Sequence, residues 1–124
     1  MYNLAVRDHF EAAHALRGYP GKCAQVHGHR WEIEAVFICE SLDEIGMGVD
    51  FGILKLSLGL IIERFDHGML NEIPPFDKIN PTAENIASHF FQELKKTVEI
   101  ARIKKVKVWE SPESWASYCE DGGS

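Results

Sequence analysis

The sequence predicts an α+β protein in which four strands form an antiparallel sheet and two helices pack on one face of it. Three observations indicate this class. Two alternating segments stand at the start of the chain, two segments of helical periodicity follow, and two short alternating segments end it. The predicted order is therefore ββααββ. With 124 residues, the chain fits a single domain over residues 1–124.

Four segments have the period of two that is typical of strands. In the second of them, apolar residues recur at every other position from Trp31 to Phe37. In the third, Val106 and Val108 are in register, whereas Ile103 falls outside the alternation. The predicted strands cover residues 2–14, 29–39, 102–110 and 115–118.

The two predicted helices each begin at a residue that can cap free backbone amides. Asp50 precedes a helix that runs to about Phe65, and we assign Asp50 this capping role without any chemistry. Thr82 precedes a second helix whose buried stripe consists of Ile86, Phe90 and Leu94. Because both helices cover one face of the sheet, an apolar second face and exposed strand edges would favour oligomerisation.

Composition excludes several classes of protein. The 13 basic and 19 acidic side chains give a net charge of −6, which lacks the positive footprint of a nucleic-acid or anionic-membrane protein. The first twenty residues contain no apolar stretch typical of a signal peptide, and no longer run predicts a membrane span. Three cysteines suit a reducing compartment better than a disulfide framework. We therefore expect a soluble, cytoplasmic protein.

Three histidines predict a metal site. His27 and His29 are two residues apart and project from the same side of an extended strand, and His14 supplies a third nitrogen. Three neutral imidazoles with one open position are the ligand set of catalytic zinc, so the expected ion is Zn²⁺. His9 would face the other way on an uninterrupted strand. The alternative is that each histidine is an ordinary core or surface residue.

Cys23 and the pair Asp66 and His67 are candidates for proton transfer. A thiol of lowered pKa can accept a proton and return it, while a carboxylate can orient an imidazole and favour its charged form. Two alternatives remain open here. Cys23 could be the fourth ligand of a closed structural zinc site, and Asp66 and His67 could form a helix cap and a loop hydrogen bond.

Several segments of the chain, in order, resemble the 6-pyruvoyl-tetrahydropterin synthase superfamily. The three-residue gap between Cys23 and His27 is similar to that of the bacterial 6-carboxy-5,6,7,8-tetrahydropterin synthases. The segments are Phe-Glu-Ala-Ala-His at 10–14, Cys-Ala-Gln-Val-His-Gly-His at 23–29, Val-Asp-Phe at 49–51 with Lys55, Asp-His-Gly-Met-Leu-Asn at 66–71, Pro-Thr-Ala-Glu at 81–84, and Glu110.

The resemblance implies a tunnelling fold, in which the sheets of several subunits join into a barrel, commonly in a homohexamer made of two trimers. It implies a zinc-dependent lyase whose substrate is the pterin 7,8-dihydroneopterin triphosphate. The products would be 6-carboxy-5,6,7,8-tetrahydropterin, acetaldehyde and triphosphate. This reaction belongs to the route to 7-deazaguanine compounds such as queuosine.

The resemblance also implies residue roles. Cys23, Asp66 and His67 would be catalytic, Glu110 would anchor the pterin ring by accepting two N–H bonds, and Thr82 would lie beside the ring. Without the resemblance, Glu110 would be a solvated strand end and Thr82 only a helix cap.

Two other functions remain open at this stage. Related enzymes share the zinc site but yield a pyruvoyl product, which would make the protein a 6-pyruvoyl-tetrahydropterin synthase. A non-catalytic zinc-binding assembly protein would keep the fold and the histidines. Such a protein has no need of the catalytic candidates together with Glu110, and their co-occurrence disfavours it.

Overall fold

A computed structural model describes residues 1–21 and 24–120. Its five strands form one sheet in the order β3-β1-β2-β4-β5. The elements are β1 (Tyr2–His14), β2 (His27–Cys39), α1 (Phe51–Ile62), β3 (Gly68–Met69), a 3-10 turn (Leu70–Glu72), α2 (Ala83–Thr97), β4 (Arg102–Ser111) and β5 (Ser114–Cys119).

The four predicted strands and two predicted helices are present in the expected order. α1 packs mainly on β1, and α2 packs on β4 and β5. Both predicted caps are confirmed: an Asp50 carboxylate oxygen accepts from Gly52 N at 2.8 Å, and Thr82 Oγ1 accepts from Asn85 N at 3.1 Å. Within the described ranges, neither helix has the length and apolar character needed to cross a bilayer.

The prediction of a purely antiparallel, four-stranded sheet is wrong in one respect. A fifth strand, β3, pairs parallel with β1 at Ala12 and Ala13. It forms because α1 ends at Ile62, short of the predicted Phe65, and the following turns return the chain to the outer edge of β1. There, His67 N donates to the Glu11 carbonyl at 2.6 Å.

Ile103 departs from the sequence expectation because β4 contains a bulge. Val36 pairs with Lys105 and the next residue, Phe37, pairs with Ile103, so Lys104 is the extra residue. The insertion turns Ile103 to the same side as Val106 and Val108, and all three are buried. A single bulge therefore restores an apolar position that strict alternation would place outside the core.

The helix-free face of the sheet carries several charged pairs, where the sequence predicted an apolar surface. Cross-strand pairs on this face join Arg7 to Glu34, Glu34 to Lys107, and Glu11 to Arg30. The Arg7 guanidinium also lies 4.3 Å from the ring centre of Trp109, within cation–π distance. The pairing alternates charge sign across these strands, and Trp109 with its neighbour Trp115 adds an apolar area to the same face.

An aromatic cluster joins the sheet to α2 and to the turn that follows α1. Phe10 on β1 is fully buried, and its ring centre lies 6.2 Å from that of Trp31, 5.9 Å from that of Phe65 and 6.0 Å from that of Phe90. Phe10 and Trp31 also face each other in the β1–β2 register. Burial of this pair therefore fixes the alignment of the two strands.

We predict that Phe10→Ala lowers the free energy of unfolding by about 3–5 kcal/mol, because it leaves a cavity among three aromatic rings. Denaturant titration followed by circular dichroism measures the loss. Phe51→Ala is the matched control: Phe51 is half exposed, and its loss should stay within about 1 kcal/mol. Equal losses for the two variants would contradict the role of Phe10.

Candidate metal centre and active site

The strand register brings the three predicted histidines together at one end of the sheet. His14 on β1 faces His27 on β2 directly, and His29 is opposite Ala12, two positions along. All three side chains lie on the helix-covered side, because each continues the buried alternation of its strand. His14 is 1% exposed. The convergence predicted from the sequence is therefore present.

Two backbone carbonyls determine which ring nitrogens carry protons. Nδ1 of His14 lies 2.8 Å from the Pro81 carbonyl oxygen, and Nδ1 of His27 lies 2.7 Å from that of Gln25. A carbonyl only accepts, so each Nδ1 must donate. In the neutral rings, each Nε2 then presents a lone pair, and the two Nε2 atoms are 3.0 Å apart. Two acceptors at this distance repel unless a cation or a proton lies between them.

Glu110 adds a carboxylate to the same cluster. Its Oε1 lies 3.0 Å from His29 Nε2 and 3.5 Å from His14 Nε2. His29 Nε2 is buried and has no hydrogen-bond partner of suitable geometry among the described residues. The candidate ligand atoms of His14, His27, His29 and Glu110 all lie within 4.8 Å of one another.

Burial opposes the protonation of two of these rings. It is the main cause that lowers the pKa of His14, with His27 and His29 adding repulsion, and it likewise lowers the pKa of His29 despite the nearby Glu110 carboxylate. Protonation of these rings is therefore an unfavourable way to relieve the repulsion between the Nε2 lone pairs. Three imidazole nitrogens and one carboxylate oxygen could hold a divalent metal ion, which requires neutral imidazoles.

Asp66 and His67 form a second, more exposed group at the edge of β1. His67 Nδ1 lies 3.0 Å from Asp66 Oδ2, while Asp66 Oδ1 accepts from Glu11 N at 3.0 Å. The Glu11 amide is the largest cause, and His67 a further one, that lowers the pKa of Asp66. His67 has φ +60°, a left-handed conformation that non-glycine residues rarely adopt. The hydrogen bonds to Glu11 hold this turn in place.

His67 and His29 line one open cavity of about 410 Å³, together with Arg30 and Gly28. Of the four candidate ligand residues His29 borders this cavity, and of the Asp66 and His67 pair His67 borders it. Cys23, the third predicted catalytic residue, lies outside the described residues. Thr82 is half-buried next to Pro81, so the loop predicted to lie beside a ligand is adjacent to the group that orients His14.

The groups that orient the candidate ligands could not be predicted from the sequence. The Pro81 and Gln25 carbonyls are backbone atoms and leave no trace in side-chain patterns. The sequence predicted Glu110 as a pterin anchor; the structure adds that its carboxylate lies beside the three histidines, in a group that could hold a metal ion. The alternation Val106, Val108, Glu110 on one face of β4 is the signal that could have indicated this position.

Comparison with known proteins identifies the family. The pattern of the 6-pyruvoyl tetrahydropterin synthase family matches residues 3–121, which is nearly the whole chain. The chain belongs to the 6-pyruvoyl tetrahydropterin synthase family.

Relatives within the family are similar over most of their length. The 6-carboxy-5,6,7,8-tetrahydropterin synthase of Rickettsia bellii is 36% identical over 132 residues, covering 90% of this chain and 96% of that protein. The protein of the same name from Synechocystis is 34% identical over 114 residues, covering 88% of this chain and 86% of that protein.

Solved structures agree with the fold. The 6-pyruvoyl tetrahydropterin synthase of Caenorhabditis elegans superposes with a TM-score of 0.87 at 27% identity, covering 97% of this chain and 96% of that chain. A protein from Wolinella succinogenes, WS1659, superposes with a TM-score of 0.81 at 18% identity, covering 97% of this chain and 98% of that one, and supports the fold alone.

We predict that His27→Ala raises the Zn²⁺ dissociation constant by more than about 100-fold. Removal of a direct metal ligand should weaken binding more than the about 10- to 100-fold that removal of an outer-shell partner costs. Competition with a chromophoric chelator measures the affinity. His9→Ala is the matched control on the neighbouring strand, since His9 is half exposed and outside the cluster. Unchanged affinity in His27→Ala, or an equal loss in His9→Ala, would contradict the site.

Proposed function

We propose that this protein is a zinc-dependent lyase that converts 7,8-dihydroneopterin triphosphate and one water molecule into 6-carboxy-5,6,7,8-tetrahydropterin, acetaldehyde and triphosphate. This activity would place it in the cytoplasmic route to 7-deazaguanine compounds such as queuosine. The observation that carries the proposal is the cluster of three histidines and Glu110. Relatives that align over most of this chain and of their own length are named 6-carboxy-5,6,7,8-tetrahydropterin synthase.

In this proposal, His14, His27 and His29 hold Zn²⁺ through their Nε2 atoms. The support is the pair of carbonyl contacts that direct the lone pairs of His14 and His27 into the cluster. A bound zinc ion would act as a Lewis acid toward the hydroxyl oxygens of the substrate side chain and so acidify the adjacent C–H bonds. The backbone groups keep the rings in the tautomer that such binding requires.

Cys23, Asp66 and His67 would move the protons. Asp66 holds His67 by its Nδ1, which leaves Nε2 of this exposed ring to take up or release a proton. The Glu11 amide lowers the pKa of the Asp66 carboxyl group. The thiol of Cys23 would accept a proton as the thiolate and return it as the thiol.

Glu110 and Thr82 would position the pterin. The Glu110 side chain is 38% exposed, so its carboxylate remains accessible to the amino and ring N–H groups of a pterin while it borders the cluster. Thr82 Oγ1 accepts a capping hydrogen bond, which leaves its O–H free to donate to a ligand. We rank Thr82 as the weaker of the two binding residues.

The proposed assembly is a homohexamer formed by two trimers, in which neighbouring sheets join edge to edge in a barrel. Its support is the pattern of strand edges in the described ranges. β5 ends the sheet on one side, and on the other side β3 covers β1 only near Ala12 and Ala13. Two uncovered edges on opposite sides of one sheet suit head-to-tail pairing, which closes into a ring.

Product analysis tests the reaction. Incubation of the zinc-loaded protein with 7,8-dihydroneopterin triphosphate should give 6-carboxytetrahydropterin and acetaldehyde in equal amounts, measured by chromatography and mass spectrometry. The 27% identity and TM-score of 0.87 with the Caenorhabditis elegans enzyme favour 6-pyruvoyl tetrahydropterin synthase as the second candidate. That pyruvoyl compound as sole product would overturn the first proposal. No conversion would favour a non-catalytic zinc protein.

The variant Cys23→Ala distinguishes a proton-transfer residue from a structural ligand. We expect the variant to bind Zn²⁺ with unchanged stoichiometry and melting temperature, while product formation falls by at least about 100-fold because an acid–base group is lost. Metal content by atomic absorption and the product assay measure both properties. Loss of zinc together with stability would instead indicate a closed site with Cys23 as the fourth ligand.

A further inference from the structure

Side chains continue the β-type hydrogen bonding along the outer edge of β1 after β3 ends. At Glu11, Asp66 Oδ1 accepts from the backbone N–H and His67 N donates to the carbonyl. β3 then pairs with Ala12 and Ala13, and the backbone turns away into the 3-10 turn at Leu70. Beyond that point, side-chain amides replace the missing strand.

Asn71 makes the first of these side-chain pairings. Its Oδ1 accepts from Ala15 N at 2.9 Å, and its Nδ2 donates to the Ala15 carbonyl at 2.8 Å. The planar amide thus satisfies both backbone groups of the residue that follows His14. Together with β3 at Ala13, this contact fixes the backbone on both sides of His14.

Asn80 makes the same two-point pairing with Arg17. Its Oδ1 accepts from Arg17 N at 2.9 Å, and its Nδ2 donates to the Arg17 carbonyl at 2.9 Å. The next residue, Pro81, accepts from Nδ1 of His14 at 2.8 Å. Residues 14–17 and 80–81 therefore form a closed loop of contacts, in which the Asn80 amide sets the distance between the Pro81 carbonyl and the His14 ring.

We propose that Asn71 and Asn80 are positioning residues for the metal centre. Their amides hold the backbone and the ring of His14 so that Nε2 presents its lone pair to the cation. The inference rests on the proposed metal site and not on the identity of the reaction. The substitution Asn→Asp tests it at constant size, because the carboxylate loses the N–H donor and turns a second oxygen toward a backbone carbonyl.

The experiment compares Asn71→Asp and Asn80→Asp with the wild-type full chain. We expect each variant to keep its circular dichroism spectrum and to bind Zn²⁺ about 10- to 100-fold more weakly, the usual effect of losing an outer-shell partner. The Co²⁺-loaded variants should also show shifted visible absorption bands, because the His14 ring changes its angle at the metal. Neither measurement depends on turnover.

Two controls separate positioning from charge and from stability. Asn3→Asp adds the same charge at an exposed position on β1, and Leu94→Ala destabilises the far end of α2 without approaching the cluster. Both should retain wild-type Zn²⁺ affinity and Co²⁺ bands. The variants Asn71→Ser and Asn80→Ser, which remove the amide without adding charge, are measured alongside and should also weaken binding.

Several outcomes would overturn the proposal. These are unchanged affinity and bands in folded Asn71 and Asn80 variants, an equal loss of affinity in Leu94→Ala, and unfolding of all four asparagine variants, which would make the amides general stability elements. Absence of Zn²⁺ binding by the wild-type chain would overturn it as well. If the wild type binds Zn²⁺ but converts no dihydroneopterin triphosphate, the proposed function fails. The affinity and Co²⁺ measurements still decide the positioning role in that case.

Discussion

The antiparallel register between β1 and β2 is the constraint on which the site depends. It places His14 opposite His27, and four positions earlier it places Phe10 opposite Trp31 in the core. A slip of β2 by one residue would turn His27, His29 and Trp31 to the other face and so separate them from His14 and Phe10. The burial of Phe10 and Trp31 therefore protects the geometry of the cluster, although neither Phe10 nor Trp31 is one of its candidate ligands. Burial of these two aromatic rings thus stabilises the register that brings the histidines together.

In the cluster, the Nε2 atoms of His14 and His27 are two acceptors that face each other. The Pro81 and Gln25 carbonyls take the Nδ1 protons of His14 and His27, so lone pairs meet 3.0 Å apart beside the Glu110 carboxylate. Such an arrangement costs stability without a cation, and a bound divalent ion would recover that energy by mass action. Functional sites typically contain groups that destabilise the fold and that a bound ligand stabilises. Membership of the 6-pyruvoyl tetrahydropterin synthase family agrees with this conclusion.

The Asp66 and His67 pair and the cluster around His14 are linked through the outer edge of β1. Asp66 and His67 contact Glu11, while Asn71 contacts Ala15 on the other side of His14. A change in the segment after α1 would therefore reach the metal cluster through β1. A short parallel strand thus begins the pairing along this edge, at Ala12 and Ala13. The Asn71 side chain extends the pairing to Ala15, beyond the point where the β3 backbone turns away. This extension depends on amide groups because they offer a donor and an acceptor together.

The sequence alone determined the order of the elements, the caps at Asp50 and Thr82, and the convergence of His14, His27 and His29. The element order, the caps and the shared face of His27 and His29 follow from local rules, since the period of an element and the capping of its first amides depend on neighbours in the chain, whereas the approach of His14 requires the β1–β2 register. Only the tertiary structure decided the fifth strand, the bulge at Lys104, the entry of Glu110 into the cluster and the charged pairs on the helix-free face. It also decided the contacts of Pro81, Asn71 and Asn80, which join residues more than fifty positions apart. Such contacts depend on where the folded backbone brings a carbonyl or an amide, and no periodicity along the chain records that.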